Sequence, residues 1–162
     1  MSRFNRTMIT TLVTASDGSV LTVDHTDAYT AHDVVGAQLL GKIGGSGGAL
    51  IRAVKILDYG VQSEPYIIHF YRSIASTIAD DAAFAPTDAD GLLEIGTVTV
   101  AAGDYATANG DAYSVAYLRG DNVNIEVPHN AAGLVYVYLQ CTDTPDYVAA
   151  TDLVVQLFSW ID

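Results

Sequence analysis

Apolar and polar residues alternate in short runs along this chain, and Gly, Asp, Asn and Pro separate the runs. The runs are rich in Val, Ile, Thr, Tyr and Leu, residues that suit a pleated, half-buried backbone. They predict strands at Met8–Thr14, Val20–Val23, Val34–Leu40, Ala49–Tyr59 and Tyr66–Tyr71, then at Glu94–Val100, Tyr113–Leu118, Val123–Val127, Leu134–Cys141 and Leu153–Trp160. Asp-Gly in Ser16-Asp-Gly-Ser19 readily takes the positive φ of a tight turn, so it joins the first two runs as a hairpin. Arg119-Gly-Asp-Asn122 is expected to do the same between two later strands.

Two runs carry more information than their length. Along Leu134–Leu139 both alternating sets are apolar or aromatic, so this strand is expected to be covered on both faces. Along Asp152–Trp160, Leu153, Val155, Leu157 and Ser159 point one way, and Val154, Gln156, Phe158 and Trp160 the other. The first set reads as core and the second as a surface for a partner. The one helix-like stretch, Ile78–Leu93, has capping residues, Ala and a Pro but no sustained apolar period, so it predicts one or two short helical turns in a crossover. Ten evenly spaced strands with one long crossover predict an all-β fold, an antiparallel β-sandwich of jelly-roll type. Residues 1–19 are expected to be a first strand or an arm, followed by a sandwich domain over 20–162.

The chain has 162 residues, enough for one domain with a sizeable core. Its single cysteine, Cys141, cannot form an intrachain disulfide, and its place in an apolar run reads as a small buried hydrophobe. Met8–Thr14 is too short and too rich in Thr for a signal-peptide core, and no run is long enough to span a membrane as a helix. The net charge of −12 is uneven. Residues 1–73 carry six basic and six acidic groups, whereas residues 74–162 carry thirteen acidic groups and only Arg119. A phosphate backbone or an anionic membrane surface is disfavoured as a partner, and the simplest role of the charge is solubility.

No constellation for chemistry emerges. Gly36-Ala-Gln-Leu-Leu-Gly41-Lys42-Ile43 follows the phosphate-loop pattern until Ile43 stands where a Mg²⁺-binding hydroxyl is needed. Gly44-Gly-Ser-Gly-Gly48 follows where a helix should start, so 41–48 is expected to be a flexible hairpin tip. His25 and His32 share a loop with Asp24, Asp27 and Asp33, but their spacing matches no zinc frame. His69 alternates with Ile67 and Tyr71 as a sheet histidine, and His129 follows Pro128 in a turn. Asp88 and Asp90 lack the calcium loop around them and suit turn or capping duty. No catalytic residue, metal site or cofactor is expected. Ten tyrosines against one Trp and four Phe suit half-buried sheets and interfaces. Tyr29, Tyr59, Tyr105, Tyr113 and Tyr147 are candidates for interface use.

Three stretches, in order, resemble a family of small virion proteins of tailed phages. Asp27-Ala-Tyr-Thr-Ala-His-Asp-Val-Val-Gly36 is similar to the family's lead-in to a strand. Gly47-Gly-Ala-Leu-Ile-Arg-Ala-Val-Lys-Ile-Leu-Asp58 is similar to its glycine-led strand ending in Asp, and Asp81-Ala-Ala-Phe-Ala-Pro-Thr-Asp-Ala-Asp90 to its most recognisable signature. The resemblance covers about residues 20–162; Met1–Ser19 departs from it. It implies a jelly-roll sandwich that self-associates as a dimer or trimer and coats the capsid shell as a decoration or cement protein. The partner would be the major capsid protein, on the exterior of a virion assembled in the host cytoplasm. A tail or baseplate component and a carbohydrate-binding sandwich are the alternative readings. Partner contacts are expected in the N-terminal segment (Arg3, Phe4, Arg6), at the Gly41–Gly48 tip (Lys42), in the crossover (Phe84, Asp88), and at Tyr147 and Trp160.

Overall fold

The computed structural model describes residues 7–15, 17–43, 48–73, 76–108, 112–129 and 132–161. The β-branched runs form β1 (Thr7–Leu12), β2 (Thr14–Ala15), β3 (Val34–Lys42), β4 (Ala49–Asp58), β5 (Tyr66–Tyr71) and β6 (Glu94–Val100). They continue as β7 (Tyr105–Ala108), β8 (Tyr113–Arg119), β9 (Ile125–Val127), β10 (Leu134–Cys141) and β11 (Leu153–Ile161). One helical turn, α1 (Asp88–Gly91), lies in the crossover, as its caps predict.

Two antiparallel sheets pack face to face. The first has the order β1-β11-β4-β8-β7, with β9 also paired to β4; the second has the order β2-β3-β10-β5-β6. The pairing is nested: β1 pairs β11, β3 pairs β10, β4 pairs β8 and β9, and β5 pairs β6. The chain thus folds as one long hairpin whose pairs lie alternately in the two sheets. Inward residues at every second position, among them Leu153, Val155 and Leu157 on β11 and Val135, Val137 and Leu139 on β10, meet in one shared core.

Several expectations change. Val20–Val23 makes only a single bridge, Thr14 to Val20, and is otherwise irregular, although Leu21 and Val23 are buried. The preceding turn is tight: Gly18 has φ +84° and its N–H donates to the Ala15 carbonyl at 2.9 Å. Strand β7 is additional; its four-residue length and two Ala hide it beside the stronger runs. The Gly120 turn is not a hairpin, because β8 and β9 both pair with β4 and run in line along it. The 41–48 segment is not a hairpin tip either: β3 and β4 lie in different sheets, so it joins the sheets, and residues 44–47 lie outside the described residues. The start of the chain is integral from Thr7 onward, since β1 pairs β11 and Val13 is buried between the sheets.

Candidate interaction face

The two outer faces of the sandwich differ. Over the second sheet the crossover folds back as a cover. Val34 of β3 makes two backbone hydrogen bonds with this segment, its N–H to the Ala82 carbonyl at 2.8 Å and its carbonyl from the Asp81 N–H at 2.9 Å. Phe84 stacks on His69 with ring centroids 4.2 Å apart and meets Tyr138 edge-on. Ile78, Phe84 and Leu93 close a second apolar cluster around Val34, Tyr71 and Tyr138. Asp90 pins the segment from below. It is fully buried, accepts from the backbone N–H and hydroxyl of its N-cap residue Thr87, and accepts from the Ser76 hydroxyl. Strand β10 is therefore covered on both sides, as its doubly apolar pattern predicts. His69 is held between Glu94 (Nδ1 to Oε1, 2.8 Å) and Gln140, the satisfied sheet histidine expected.

No described segment folds over the first sheet in this way. Many of its outward positions are apolar or aromatic: Met8 is 64% exposed and Tyr117 47% exposed, with Leu57, Val154, Phe158 and Trp160 half-buried beside them. Register places Trp160 between Met8 and Leu50, and Phe158 between Thr10 and Ala53. Lys55 stands opposite Tyr117, and Arg119 opposite Ala53. The Tyr117 and Phe158 rings meet edge-on at 5.6 Å. At the far end Tyr59 and Tyr113, both candidates for interface use, lean together at 5.6 Å.

A bulge re-aims one cation onto this face. The β4–β11 register slips between Phe158 and Ser159, leaving Arg52 without a partner residue, and β8 gives way to β9 across the same stretch. Arg52 turns over the Trp160 ring, 5.3 Å from its centroid, and donates to Asn124 Oδ1 at 2.5 Å. Arg119 lies over Tyr117 at 5.8 Å. Of the seven Lys and Arg residues, Arg3 and Arg6 lie outside the described residues, and three of the other five (Arg52, Lys55, Arg119) are on this face. Among the described residues, Glu126 is the one carboxylate at a strand position here. A basic, aromatic face on a chain of net charge −12 is a local reversal of sign.

The expected contact residues do not gather at one place. Trp160 is on the open face, whereas Phe84 and Asp88 lie on the crossover over the opposite sheet. Lys42 is exposed at the end of β3, and Arg3 and Phe4 and Arg6 fall outside the described residues. Tyr147 corrects its expectation: it is 1% exposed, its hydroxyl bonds that of Tyr66, and its ring meets Tyr29 edge-on. Tyr29 is equally buried and binds Asp80 at 2.7 Å, so both hydroxyls serve the interior. Burial drives the phenol pKa values of Tyr29, Tyr66 and Tyr147 up. The face residues Arg52, Lys55 and Arg119 escaped sequence reasoning because a period of two puts Arg52 and Lys55 on opposite faces of β4, only the bulge brings them to one, and Arg119 joins them from another strand.

Chemistry-bearing side chains elsewhere serve structure. Cys141 is buried, bonded to the Thr30 and Asp33 carbonyls, and burial pushes its thiol up to about 11. Asp24 and Asp33 accept from Thr26 and Thr30 within their own loop, and among the described residues no group of three or more His, Cys, Asp or Glu is placed to hold a metal ion. No described helix is long and apolar enough to cross a membrane. Beside the open face, Gly48, Leu50, Glu126, His129 and Trp160 line an open cleft of about 400 Å³. No protein-family model, no curated protein and no solved structure matches the chain.

Proposed function

We propose that this chain is a virion structural protein of a tailed phage, a decoration or cement protein that binds the shell of the major capsid protein through the outer face of its first sheet. The observation that carries the reading is the asymmetry of the sandwich: one outer face is covered by the chain's own crossover, the other presents aromatic rings with cations held over them. Exposed contiguous apolar surface of this kind is what protein contacts use. The nested pairing supports a jelly roll of eight strand positions in two sheets, with β8 and β9 sharing one position in line along β4 and β2 and β7 as additions. The three stretches that resemble the virion family fall at the lead-in to β3, on β4 and in the crossover, the parts that build and cover the sandwich.

The mechanism is physical. Binding to assembled shell and not to its unfolded subunits stabilises the shell by mass action, and a lattice of identical sites adds up over many copies. Co-sedimentation of the purified chain with empty shells of the phage that encodes it tests the reading. Saturable binding in hundreds of copies is expected; absence of the chain from shells, with binding to tails instead, moves it to a tail or baseplate component. A carbohydrate-binding module is the second reading, favoured by the cleft beside Trp160 with Glu126 and His129. Glycan-array binding that is lost in Trp160→Ala would support it.

A further inference from the structure

We propose that the outer face of the first sheet is built for a carboxylate-bearing protein surface. The inference rests on the reading of this face as the docking surface and names the chemistry of what docks there. Arg52 and Arg119 are not free surface cations. One is laid over Trp160 and tied to Asn124, and the other is laid over Tyr117. A guanidinium already held over an aromatic ring keeps N–H donors at its edges for a carboxylate, and less rotamer entropy is lost when one binds. Lys55, opposite Tyr117, adds a third positive charge to the same face. Glu126 is the one described carboxylate at a strand position to compete with them. Apolar side chains, Met8, Leu57 and Phe158 among them, surround the cations and lower the local dielectric, which strengthens each pair that forms.

Charge also disposes of the other occupants. Two copies pressed together through this face would set six cations against one another, and like charges across an interface are costly. A nucleic acid presents a continuous line of phosphates, which three cations on a chain of net charge −12 do not match. A protein surface bearing a few carboxylates among apolar groups fits the small number of the cations and their apolar surroundings.

The probe is poly-L-glutamate, titrated at low ionic strength into the isotope-labelled full chain, with poly-L-lysine and a single-stranded DNA oligomer of matched length as controls. Amide shifts confined to β1, β4, β8, β9 and β11 are expected with poly-glutamate. They should weaken as salt shortens the screening length. The triple variant R52E/K55E/R119E should bind poly-glutamate about tenfold or more weakly, since like charges then face one another. Its unfolding midpoint checks that the sandwich is intact; if it is not, the single variant K55E replaces it. No shifts with poly-glutamate, shifts mapping to the crossover face, tighter binding of the DNA, or a dimer through this face in sedimentation equilibrium would each overturn the proposal. Shell co-sedimentation of the same variants keeps the two readings apart: shell binding that survives the charge reversal refutes the carboxylate partner and leaves the decoration reading standing.

Discussion

At the residue scale, single positions decide how close the layers come. Gly36 has φ +81°, and a Cβ there would lie 2.1 Å from Leu21 Cδ1. Its N–H also donates to Asp80 Oδ1 at 2.7 Å, tying β3 to the crossover. Gly36→Ala should cost about 2–4 kcal/mol by combining backbone strain with overpacking, read from denaturant unfolding. Asp58 is the second such position. It is 1% exposed, and burial holds its carboxyl above the ordinary carboxylate value despite the Ser63 N–H at 2.6 Å. A carboxyl raised on folding contributes stability that is fully present below its unfolded pKa and is lost as pH rises through the folded one. The unfolding midpoint of the native chain relative to Asp58→Asn should therefore climb as pH falls from neutral toward about 4. An offset that stays constant across that range would remove Asp58 as the titrating group. Neither role can be read from the sequence, because a left-handed φ and a buried carboxylate depend on what lies across the layer.

At the element scale, the crossover is the part that turns a two-layer sandwich into one with a closed face. Its short helix begins at Thr87 with a reciprocal cap to Asp90, and its aromatic anchor is Phe84 on His69 and Tyr138. Phe84→Ala should cost about 1–3 kcal/mol, less than a fully buried Phe because the ring is half-exposed. Amide hydrogen exchange should quicken across residues 78–93 while β5 and β10 keep their protection. Equal loss of protection in the strands would show that the cover and the sandwich unfold as one unit. The strand runs were legible because β-branched residues and turn residues alternate so regularly. Strand β7 was not, since Tyr105–Ala108 draws its order from β8 rather than from its own propensity. The turn at Gly120 was legible as a turn, with φ +76°, but what it joins depends on β4, which both neighbours share.

At the scale of the whole molecule, the two outer faces differ: no described segment covers that of the first sheet. A sheet face carrying Tyr117, Phe158 and Trp160 contributes little to the stability of an isolated chain, because those rings are already partly in water. The double variant Y117A/F158A should therefore change the unfolding free energy by about 1 kcal/mol while removing most of the shell binding proposed for this face. A loss of several kcal/mol would mark the face as part of the fold rather than a docking surface. The acidic second half of the sequence gives the molecule its long-range repulsion, and the basic face is a local exception that screening at physiological salt leaves effective at contact distance.

The sequence by itself determined the all-β class, most strand positions, the short helical turn in the crossover, the double burial of β10 and the outward set Val154, Gln156, Phe158 and Trp160. All of these follow from periods and propensities local to a run of residues. Tertiary structure alone decided the nested pairing, the burial of Tyr29 and Tyr147, and the gathering of Arg52, Lys55 and Arg119 beside the aromatic rings. The physical reason is that these depend on which strands become neighbours and where a bulge shifts their register, and such long-range choices leave no period in the sequence to read.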